Sequence, residues 1–192
     1  MFEDFEAYIT SHGSFTTDEL KHMRSLALVR KVRRRQLILQ EGEICRYKIF
    51  VTKGLLRNFR MKDDGTDYTM RFAAENSWTT DHDSFSNNTP SKYNIEALED
   101  TEVVMWTQEQ LSILLLAIPA FKLLTEKLIA TSLEASYERI LMNISYTSEE
   151  KYQDFVTSFP DVFRRVPLHM VASYLGVSRE TLSRIRHAQL KQ

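Results

Sequence analysis

The sequence predicts an α+β protein in which an antiparallel β-roll, a double-stranded β-helix, is followed by a long helix and a small helical domain. Three observations support this fold class. Short segments rich in β-branched and aromatic residues alternate with turn signals between residues 31 and 107. A helical apolar period then continues to about Ser145. Residues 168–192 contain two short helical segments on either side of Gly176.

The composition is that of an ordinary globular chain, with 43% hydrophobic and 27% charged residues among 192. No apolar run approaches the roughly 18 residues that a membrane span needs. A single cysteine, Cys45, excludes an internal disulfide framework. The acidic N-terminus lacks the basic region of a signal peptide. We therefore expect a cytoplasmic protein with no membrane partner.

The charge is distributed unevenly along the chain. The net charge is only −1, but residues 163–192 contain six Lys or Arg and one acid, which leaves the remainder at −6. A basic C-terminal segment on an acidic body predicts a polyanionic partner that binds at one end of the molecule.

The sequence of residues 1–29 predicts two helices. Gly13 ends the first, and Thr16 with Glu19 forms a capping box that opens the second. From Lys31 the pattern is that of strands, with turns at EGE, KG, DDG and NNTPS. The predicted strand segments are RRRQLILQ, RYKIFVT, LLRNFRM, YTMRFAA, KYNIEAL and EVVMWT.

The basic run RKVRRR occupies residues 30–35. Such a run is compatible with a nucleic-acid contact. Its place at the start of the first strand segment favours a solvated strand edge, where charged side chains prevent pairing with other chains.

After Trp106, the segment TQEQLSILLLAI predicts a short helix, and Pro119 then begins a long one. This long helix has two apolar stripes, which indicates two packing partners: its own β-domain and a second copy of the chain. One stripe is Ile129, Leu133, Ile140 and Ile144. The other, to which we assign the dimer interface, is Leu124, Leu128, Thr131, Ala135 and Met142.

A second capping box, Thr147 to Glu150, indicates where the last domain begins. We therefore predict three parts: an effector-type β-roll domain with its N-terminal helices (1–117), a dimerisation helix (118–146) and a C-terminal domain (147–192).

The C-terminal segment has the residue spacing of a helix-turn-helix. Gly176 stands where the turn needs a positive φ, and Ser178 is placed to cap the second helix. Ala172 is small at the position where the two helices must touch. The inward apolar positions are Val171, Leu175, Val177, Leu182 and Ile185.

The outward face of the second helix, predicted over 178–190, has the groups that recognise DNA. Arginine offers a bidentate fork to guanine and glutamate accepts a hydrogen bond from cytosine in the major groove. The predicted base-reading residues are Arg179, Glu180, Ser183 and Arg184. Those placed to hold phosphates are His169, Ser178, Thr181, Arg186 and Lys191.

The stretch VASYLGVSRETLSRI resembles the recognition motif of the Crp/Fnr family of bacterial transcription regulators, with its R-E-T-x-x-R core. The segments EGE, FVTKGLLRNF and KDDGTDYTMRF resemble the corners of that family's cyclic-nucleotide-binding-type roll. The resemblance covers nearly the whole chain in order. It implies a homodimeric regulator that binds a near-palindromic operator in double-stranded DNA and contacts RNA polymerase.

The segment 75–98 departs from the family pattern. Cyclic-nucleotide binders of this family have a Gly-Glu pair and an arginine there. The glycine lets backbone N–H groups approach the phosphate, the glutamate holds the ribose hydroxyl, and the arginine neutralises the phosphate charge. Here there is no glycine or arginine; Ser91 and Lys92 stand about where the arginine would, and Asp81 and Asp83 add negative charge. We therefore predict no cofactor and no binding of cyclic AMP or GMP.

An unknown small-molecule effector remains open. Its candidate pocket residues are Glu75, Asn76, Ser77, Ser91, Lys92, Ser136 and Tyr137. One cysteine cannot hold an iron–sulfur cluster. The DHD triplet at 81–83 has a single histidine, so we predict no metal site. Haem ligation by His82 or Cys45 stays open, although nothing in the pattern favours it.

Two other functions compete with DNA binding. One is a small-ligand sensor whose C-terminal domain binds a protein, which the local positive charge disfavours. The other is a cupin-like enzyme, for which the sequence has no metal triad and no paired catalytic residues. We therefore predict a protein that is not an enzyme.

A family departure also concerns the end of the sequence. About eight residues follow Arg184, too few for the β-hairpin wing that follows the recognition helix in most of the family. Either the sequence is truncated or the protein lacks this wing. Without a wing, phosphate contacts would fall to helix N-termini, His169 and Lys191. We expect a shallower salt dependence of DNA binding than in winged relatives.

Overall fold

A computed structural model describes residues 1–189 of the chain and confirms the predicted α+β class. The helices are α1 (Phe2–His12), α2 (Thr17–Leu26), α3 (His82–Asn87), α4 (Gln108–Ala117), α5 (Pro119–Ser145), α6 (Ser148–Ser158), α7 (Pro160–Arg165), α8 (Leu168–Leu175) and α9 (Arg179–Gln189). The strands are β1 (Leu28–Val32), β2 (Leu37–Leu39), β3 (Tyr47–Lys53), β4 (Leu56–Met61), β5 (Asp67–Ala73), β6 (Ser77–Thr79), β7 (Asn94–Ala97) and β8 (Thr101–Thr107).

The strands form two four-stranded antiparallel sheets, in the orders β1-β8-β3-β6 and β2-β7-β4-β5. One apolar cluster lies between them, because alternate side chains of each strand point inward. It includes Val32, Leu39, Ile49, Val51, Leu56, Ala73, Ile95, Val103 and Met105. This closed roll is the platform on which the helices pack.

A second cluster covers the outer face of the first sheet. The side chains of α1, α4 and α5 pack there against Phe50 and Trp106, whose rings contact Phe5 at centroid distances of 5.2 and 4.8 Å. The capping box of Thr16 and Glu19 begins α2 as predicted. These contacts join the N-terminal helices and the first turns of α5 to the roll.

Two strands and one helix differ from the sequence expectation. The segment RRRQLILQ is predicted as one strand, but residues 33–36 form a turn between β1 and β2. Strand β1 begins earlier, at Leu28, because Leu28 to Val32 pair in register with β8. Strand β6 and helix α3 lie in a segment for which the sequence predicts only turns; Asp81 caps α3 by accepting from the N–H of Ser84.

One residue of the predicted dimer interface on α5 is buried within the single chain. Leu124 belongs to the predicted dimer interface, but it is 5% exposed and packs in the cluster between α1, α4 and the roll. Leu128 is half-buried against the same cluster. Thr131 and Ala135 are exposed and Met142 is half-buried, so their assignment stays a prediction.

The opposite face of α5 carries the other stripe. Leu133 follows Leu124 by about two and a half turns and therefore projects from the other side of the helix. All four members of the stripe are exposed, namely Ile129 (57%), Leu133 (53%), Ile140 (55%) and Ile144 (79%). Tyr137, which the sequence assigns to the effector pocket, is exposed among them (59%). In the single chain, α5 is thus buried on one face of its first turns, up to Leu128, and its other apolar face is uncovered.

Candidate nucleic-acid interface

Helices α8 and α9 and the turn between them form the frame of the site. Gly176 ends α8 in the left-handed conformation with φ 67° and ψ 31°, which a glycine adopts without steric cost. The N–H of Val177 donates to the carbonyl of Ala172 across the turn at 3.1 Å. The predicted inward positions Val171, Ala172, Leu175, Leu182 and Ile185 are buried, and Val177 is half-buried beside them.

Ser178 begins α9. Its hydroxyl oxygen accepts from the N–H of Thr181 at 3.1 Å, which is the N-cap contact predicted from sequence. The Thr181 hydroxyl oxygen lies 3.1 Å from the same Ser178 oxygen. Both predicted phosphate ligands are therefore held at the helix start, where unpaired N–H groups favour an anion.

The predicted base-reading residues lie on the side of α9 opposite Leu182 and Ile185. Arg179, Glu180 and Arg184 are exposed and Ser183 is half-buried. Hydrogen bonds from its own backbone N–H and from the Ser178 hydroxyl hold the pKa of Glu180 below its usual range. Glu180 is therefore a carboxylate at neutral pH and can only accept hydrogen bonds, as recognition of cytosine N4 requires.

The remaining predicted phosphate ligands are placed less uniformly. His169 is exposed on the first turn of α8, and Arg186 is exposed on α9. Lys191 and the last residue of the predicted recognition helix, Leu190, lie outside the described residues. The described part thus brings the base-reading face and four of the five predicted phosphate ligands onto α8, α9 and their turn.

Helix α8 sits on the edge of the roll. Strand β5 is an outer strand of its sheet, so part of its backbone has no strand partner. The Ser173 hydroxyl accepts from the N–H of Thr69 at 2.8 Å and donates to the carbonyl of Asp67 at 2.9 Å. A side chain of the helix-turn-helix therefore supplies the hydrogen bonds that a further strand would supply.

Helix α5 reaches the same contact. The Arg139 guanidinium donates to the carbonyls of Met70 and Tyr174 and lies 4.1 Å from the centroid of the Tyr174 ring. The Tyr174 ring contacts Phe72 of β5 at 5.5 Å between centroids. The long helix, the roll and α8 thus meet at one cation–aromatic cluster.

Arg165 of α7 makes the second attachment, with Glu75 and Glu99; we call these three residues the Arg165 clamp. Its guanidinium donates to both carboxylate oxygens of Glu75, at 2.8 and 2.9 Å, and also pairs with Glu99. Glu75 further accepts from the N–H of Gly54 at 2.7 Å. A Cβ at Gly54 would lie 2.5 Å from Thr101 Oγ1, so this turn requires glycine. The clamp joins α7 to two turns of the roll.

Acidification is expected to open the Arg165 clamp. Burial favours a higher pKa for Glu75, but hydrogen bonds from Arg165, its own N–H and Gly54 together hold that pKa below its ordinary 4.5. The contribution of Glu75 is therefore complete above pH 4.5 and is lost as the pH falls through the lowered value. Small-angle scattering should show an increase in the radius of gyration over that range.

Glu75→Gln should show the larger radius already at neutral pH, whereas Glu41→Gln, at an exposed position, should behave like the parent chain. Glu99 also pairs with Arg165, so Glu75→Gln should keep a smaller residual response. An acid response that is unchanged in Glu75→Gln would contradict the assignment to Glu75.

The structure does not bring the seven predicted effector residues into one cavity. Glu75 is held in the Arg165 clamp, and Asn76 lies beside it in the turn before β6. Ser91 is buried at the other end of β6, and Lys92 is exposed and pairs with Asp83. The hydroxyls of Ser77 and Ser136 bond to carbonyls three and four residues earlier, and Tyr137 is exposed on α5. Residues 75–92 are close in sequence, but strand β6 separates Glu75 and Asn76 at one end from Ser91 and Lys92 at the other.

The segment after β6 contains a buried carboxylate instead of a phosphate site. Asp81 is 5% exposed, and its two oxygens accept from the Ser84 N–H at 3.2 Å and the Ser91 hydroxyl at 2.7 Å. Within residues 1–189, no lysine or arginine forms an ion pair with Asp81. A phosphate beside this carboxylate would meet negative charge where it needs positive charge.

A cavity of about 490 Å³ opens into the roll next to this segment. Its lining is Ile38, Leu39, Gly42, Glu43, Ile44, Cys45, Arg46, Tyr47 and Ile49. Cys45 belongs both to this lining and to the core of the roll, and its N–H donates to Ser84 at 2.8 Å. The sequence does not reveal this cavity. The alternation of apolar and polar residues at 44–49 predicts which side chains point into the core, but not whether they leave a gap between them.

Two further findings concern the described residues. None of their His, Cys, Asp and Glu side chains form a group of three or more that could hold a metal ion. None of their helices is both long enough and apolar enough to span a membrane.

Residues 29–117 match the family model of the cyclic nucleotide-binding domain. FixK2 from Bradyrhizobium japonicum is 19% identical, with a TM-score of 0.74 over 86% of this chain and 85% of FixK2. A protein from Eubacterium rectale, described as a transcriptional regulator of the crp/fnr family, is 17% identical, with a TM-score of 0.69 over 92% and 85%. CLP, a c-di-GMP-responsive global regulator of Xanthomonas campestris, is 14% identical, with a TM-score of 0.70 over 92% and 93%. No curated protein matches the sequence.

Fold and site together define a β-roll protein with a long connecting helix and a C-terminal helix-turn-helix. Residues 29–117 resemble a cyclic nucleotide-binding domain, and the chain has the fold of the solved Crp/Fnr regulators, as the sequence motifs predicted.

Proposed function

We propose that the protein is a sequence-specific, DNA-binding transcription regulator. The observation that supports this most strongly is the exposed face of Arg179, Glu180 and Arg184 on a helix whose other side is buried. Such a helix fits the major groove, where its side chains can distinguish base pairs. The regulator acts on DNA in the cytoplasm, and its resemblance to the Crp/Fnr family implies RNA polymerase as a further partner.

The regulator binds DNA as a homodimer through the exposed stripe of α5. Leu133, Tyr137, Ile140 and Ile144 recur at alternating intervals of four, three and four residues, the spacing of a coiled-coil seam. Two parallel copies of α5 would place the recognition helices in successive major grooves on a near-palindromic site. The half-sites would lie about 34 Å apart, because successive major grooves on one face of the duplex are separated by one helical turn.

The effector is not a cyclic nucleotide. Asp81 and Ser91 bond to each other where relatives that bind nucleotides need a cation and a free backbone, and the buried carboxylate repels phosphate. The cavity beside this segment combines apolar side chains, such as Ile38 and Ile49, with Glu43 and Arg46. An effector that occupies it is therefore a small molecule with both apolar and polar groups, and it acts by favouring one orientation of the C-terminal helices.

Selection of the ligand-free protein against a random duplex pool tests this function. The expected result is a near-palindromic consensus with half-sites about one helical turn apart, unchanged by added cyclic AMP. Retention that depends on salt but not on sequence, with or without the nucleotide, would contradict the proposal.

Arg184→Ala is expected to lower specific binding to the selected site by about 1–3 kcal/mol, because it removes a bidentate base contact. Competition binding against the wild-type consensus and against single-base changes measures the loss. Discrimination should relax at one position in each half-site. Lys21→Ala, which removes an exposed charge on α2, is the control and should leave the affinity unchanged. An unaltered site preference in Arg184→Ala would contradict the recognition-helix assignment.

A further inference from the structure

The turn between β1 and β2 contains three consecutive arginines, Arg33, Arg34 and Arg35, and we call it the arginine turn. All three side chains are exposed. None of the three guanidinium groups forms an ion pair with any acid of residues 1–189. Their neighbour Lys31, in contrast, pairs with Glu102 at 3.1 Å. The arginine turn is thus a concentrated positive charge that the described fold does not neutralise.

The backbone of the arginine turn is held firmly. The N–H of Arg34 donates to the Asp100 carboxylate at 2.9 Å, and the N–H of Arg35 donates to the carbonyl of Ala97 at 2.7 Å. The Arg33 N–H donates to the side chain of Gln36 at 3.1 Å, and the Gln36 carbonyl accepts from the N–H of Ala97 at 3.0 Å. A partner that binds the arginine turn would therefore have to immobilise only side chains. Because the backbone is already ordered, the entropic cost of binding is smaller.

Arg35 occupies a backbone conformation that its residue type avoids. Its φ is 67°, in the left-handed region, where a Cβ is disfavoured. Among the described residues, every other position with positive φ is glycine or asparagine. Glycine at 35 would suit the turn better, so the presence of arginine there points to a role for its side chain.

The arginine turn lies at the end of the roll that carries the C-terminal helices. Asp100 accepts from the turn, and its neighbour Glu99 binds Arg165 of α7. Leu98 and Leu55, also at this end, pack in the cluster formed by α6 to α9. The turn and α7 therefore flank the same β7–β8 connection, on the side of the roll that faces the proposed DNA-binding helices.

We propose that the arginine turn binds the sugar–phosphate backbone of the duplex that flanks the operator. This inference rests on the proposed DNA-binding function. Guanidinium groups match phosphate oxygens with two parallel hydrogen bonds, and contacts to phosphate carry no sequence information. The turn extends the contact beyond the base pairs that the recognition helices read. Residues 33–35 would then contact DNA, whereas the sequence by itself favoured a solvated strand edge for residues 30–35.

Two duplexes that carry the selected consensus test the inference, one of about 20 base pairs and one of about 50, so that only the longer has flanks. Arg33→Gln with Arg34→Gln is expected to weaken binding to the longer duplex about tenfold. The slope of log K against log salt should fall by about two, because roughly two phosphate contacts are lost. Binding to the shorter duplex should not change.

Arg35→Gly separates a functional role from a structural one. It is expected to keep or raise the melting temperature, because glycine suits the turn, and to lower the salt slope on the longer duplex by about one. Lys21→Gln with Lys122→Gln is the charge-matched control. Both side chains are exposed, Lys21 on α2 and Lys122 in the first turn of α5, and neither helix adjoins the arginine turn.

Equal affinities of the variants and the parent chain for the longer duplex would overturn the inference and leave the DNA-binding function standing. The same loss on both duplexes would also overturn it, because flanks would then not matter. Unchanged DNA binding with reduced transcription by purified RNA polymerase would overturn it as well and assign the turn to an acidic protein surface. If the parent chain itself selects no site, the proposed function fails and not only this inference.

Discussion

Leu133→Glu combined with Ile140→Glu is expected to convert the protein from dimer to monomer. Both side chains are more than half exposed in the single chain, so the substitutions should leave its fold intact, as judged by circular dichroism. In the dimer each would place an unpaired carboxylate in an apolar seam, which costs on the order of 3 kcal/mol. The dissociation constant of the dimer should therefore rise by more than about 100-fold.

Sedimentation equilibrium measures the dimer directly, and binding to the palindromic consensus measures its consequence. A monomer engages one half-site at a time, so affinity should fall by about 10²-fold or more through the loss of bivalent binding. The control is Thr131→Glu with Ala135→Glu, two exposed positions on the other face of α5. If the control dissociates the dimer and the first variant does not, the interface is on the Thr131 side, as the sequence by itself suggests.

Arg57→Ala is expected to lower the free energy of unfolding by about 3–5 kcal/mol. The Arg57 side chain is 4% exposed and pairs with Asp67 at 2.8 Å and Glu96 at 2.7 Å, which joins β4 to both neighbouring strands. Its guanidinium also lies 4.1 Å from the centroid of the Phe59 ring. Removal leaves two partly buried carboxylates close together without their cation.

Urea unfolding followed by circular dichroism measures this loss. Arg57→Lys should fall between the parent and alanine variants, because lysine keeps the charge but not the two-pronged geometry. The control is Arg60→Ala on the same strand, where the side chain is exposed and a change within about 0.5 kcal/mol is expected. An Arg57→Ala loss below about 1 kcal/mol would mean that Asp67 and Glu96 regain water without strain.

The Arg57 variant should also affect the C-terminal helices. Arg57 pairs with the side-chain carboxylate of Asp67, and the backbone carbonyl of Asp67 accepts a hydrogen bond from the Ser173 hydroxyl. Loosening of β5 should therefore weaken the contact of α8 with the roll. Hydrogen exchange at the Thr69 amide, which donates to Ser173, should become faster in Arg57→Ala than in Arg60→Ala.

Local signals in the sequence were sufficient for the helix-turn-helix. Gly176 at the turn, Ser178 at the helix start and the buried pair of Leu182 and Ile185 are related by spacings of a few residues. The capping box of Thr147 and Glu150 likewise depends on residues three apart. Because helix caps and periodicity are properties of near neighbours, the sequence by itself determined which face of α9 is exposed.

The sequence could not decide which partner each face of α5 meets. Both stripes are apolar, and only the packing of Leu124 against the N-terminal helices shows which one the chain itself covers. The candidate effector residues are dispersed for a related reason, since β6 separates Glu75 from Ser91 although they are near in sequence.

The sequence therefore determined the order of the roll, the long helix and the helix-turn-helix, together with the chemistry of the recognition face. Only the tertiary structure decided how the C-terminal helices attach to the roll. Arg165 meets Glu75 across 90 positions of chain, and Ser173 meets Asp67 across 106. Such contacts arise from the folded path of the chain, because no periodicity or spacing links residues so far apart.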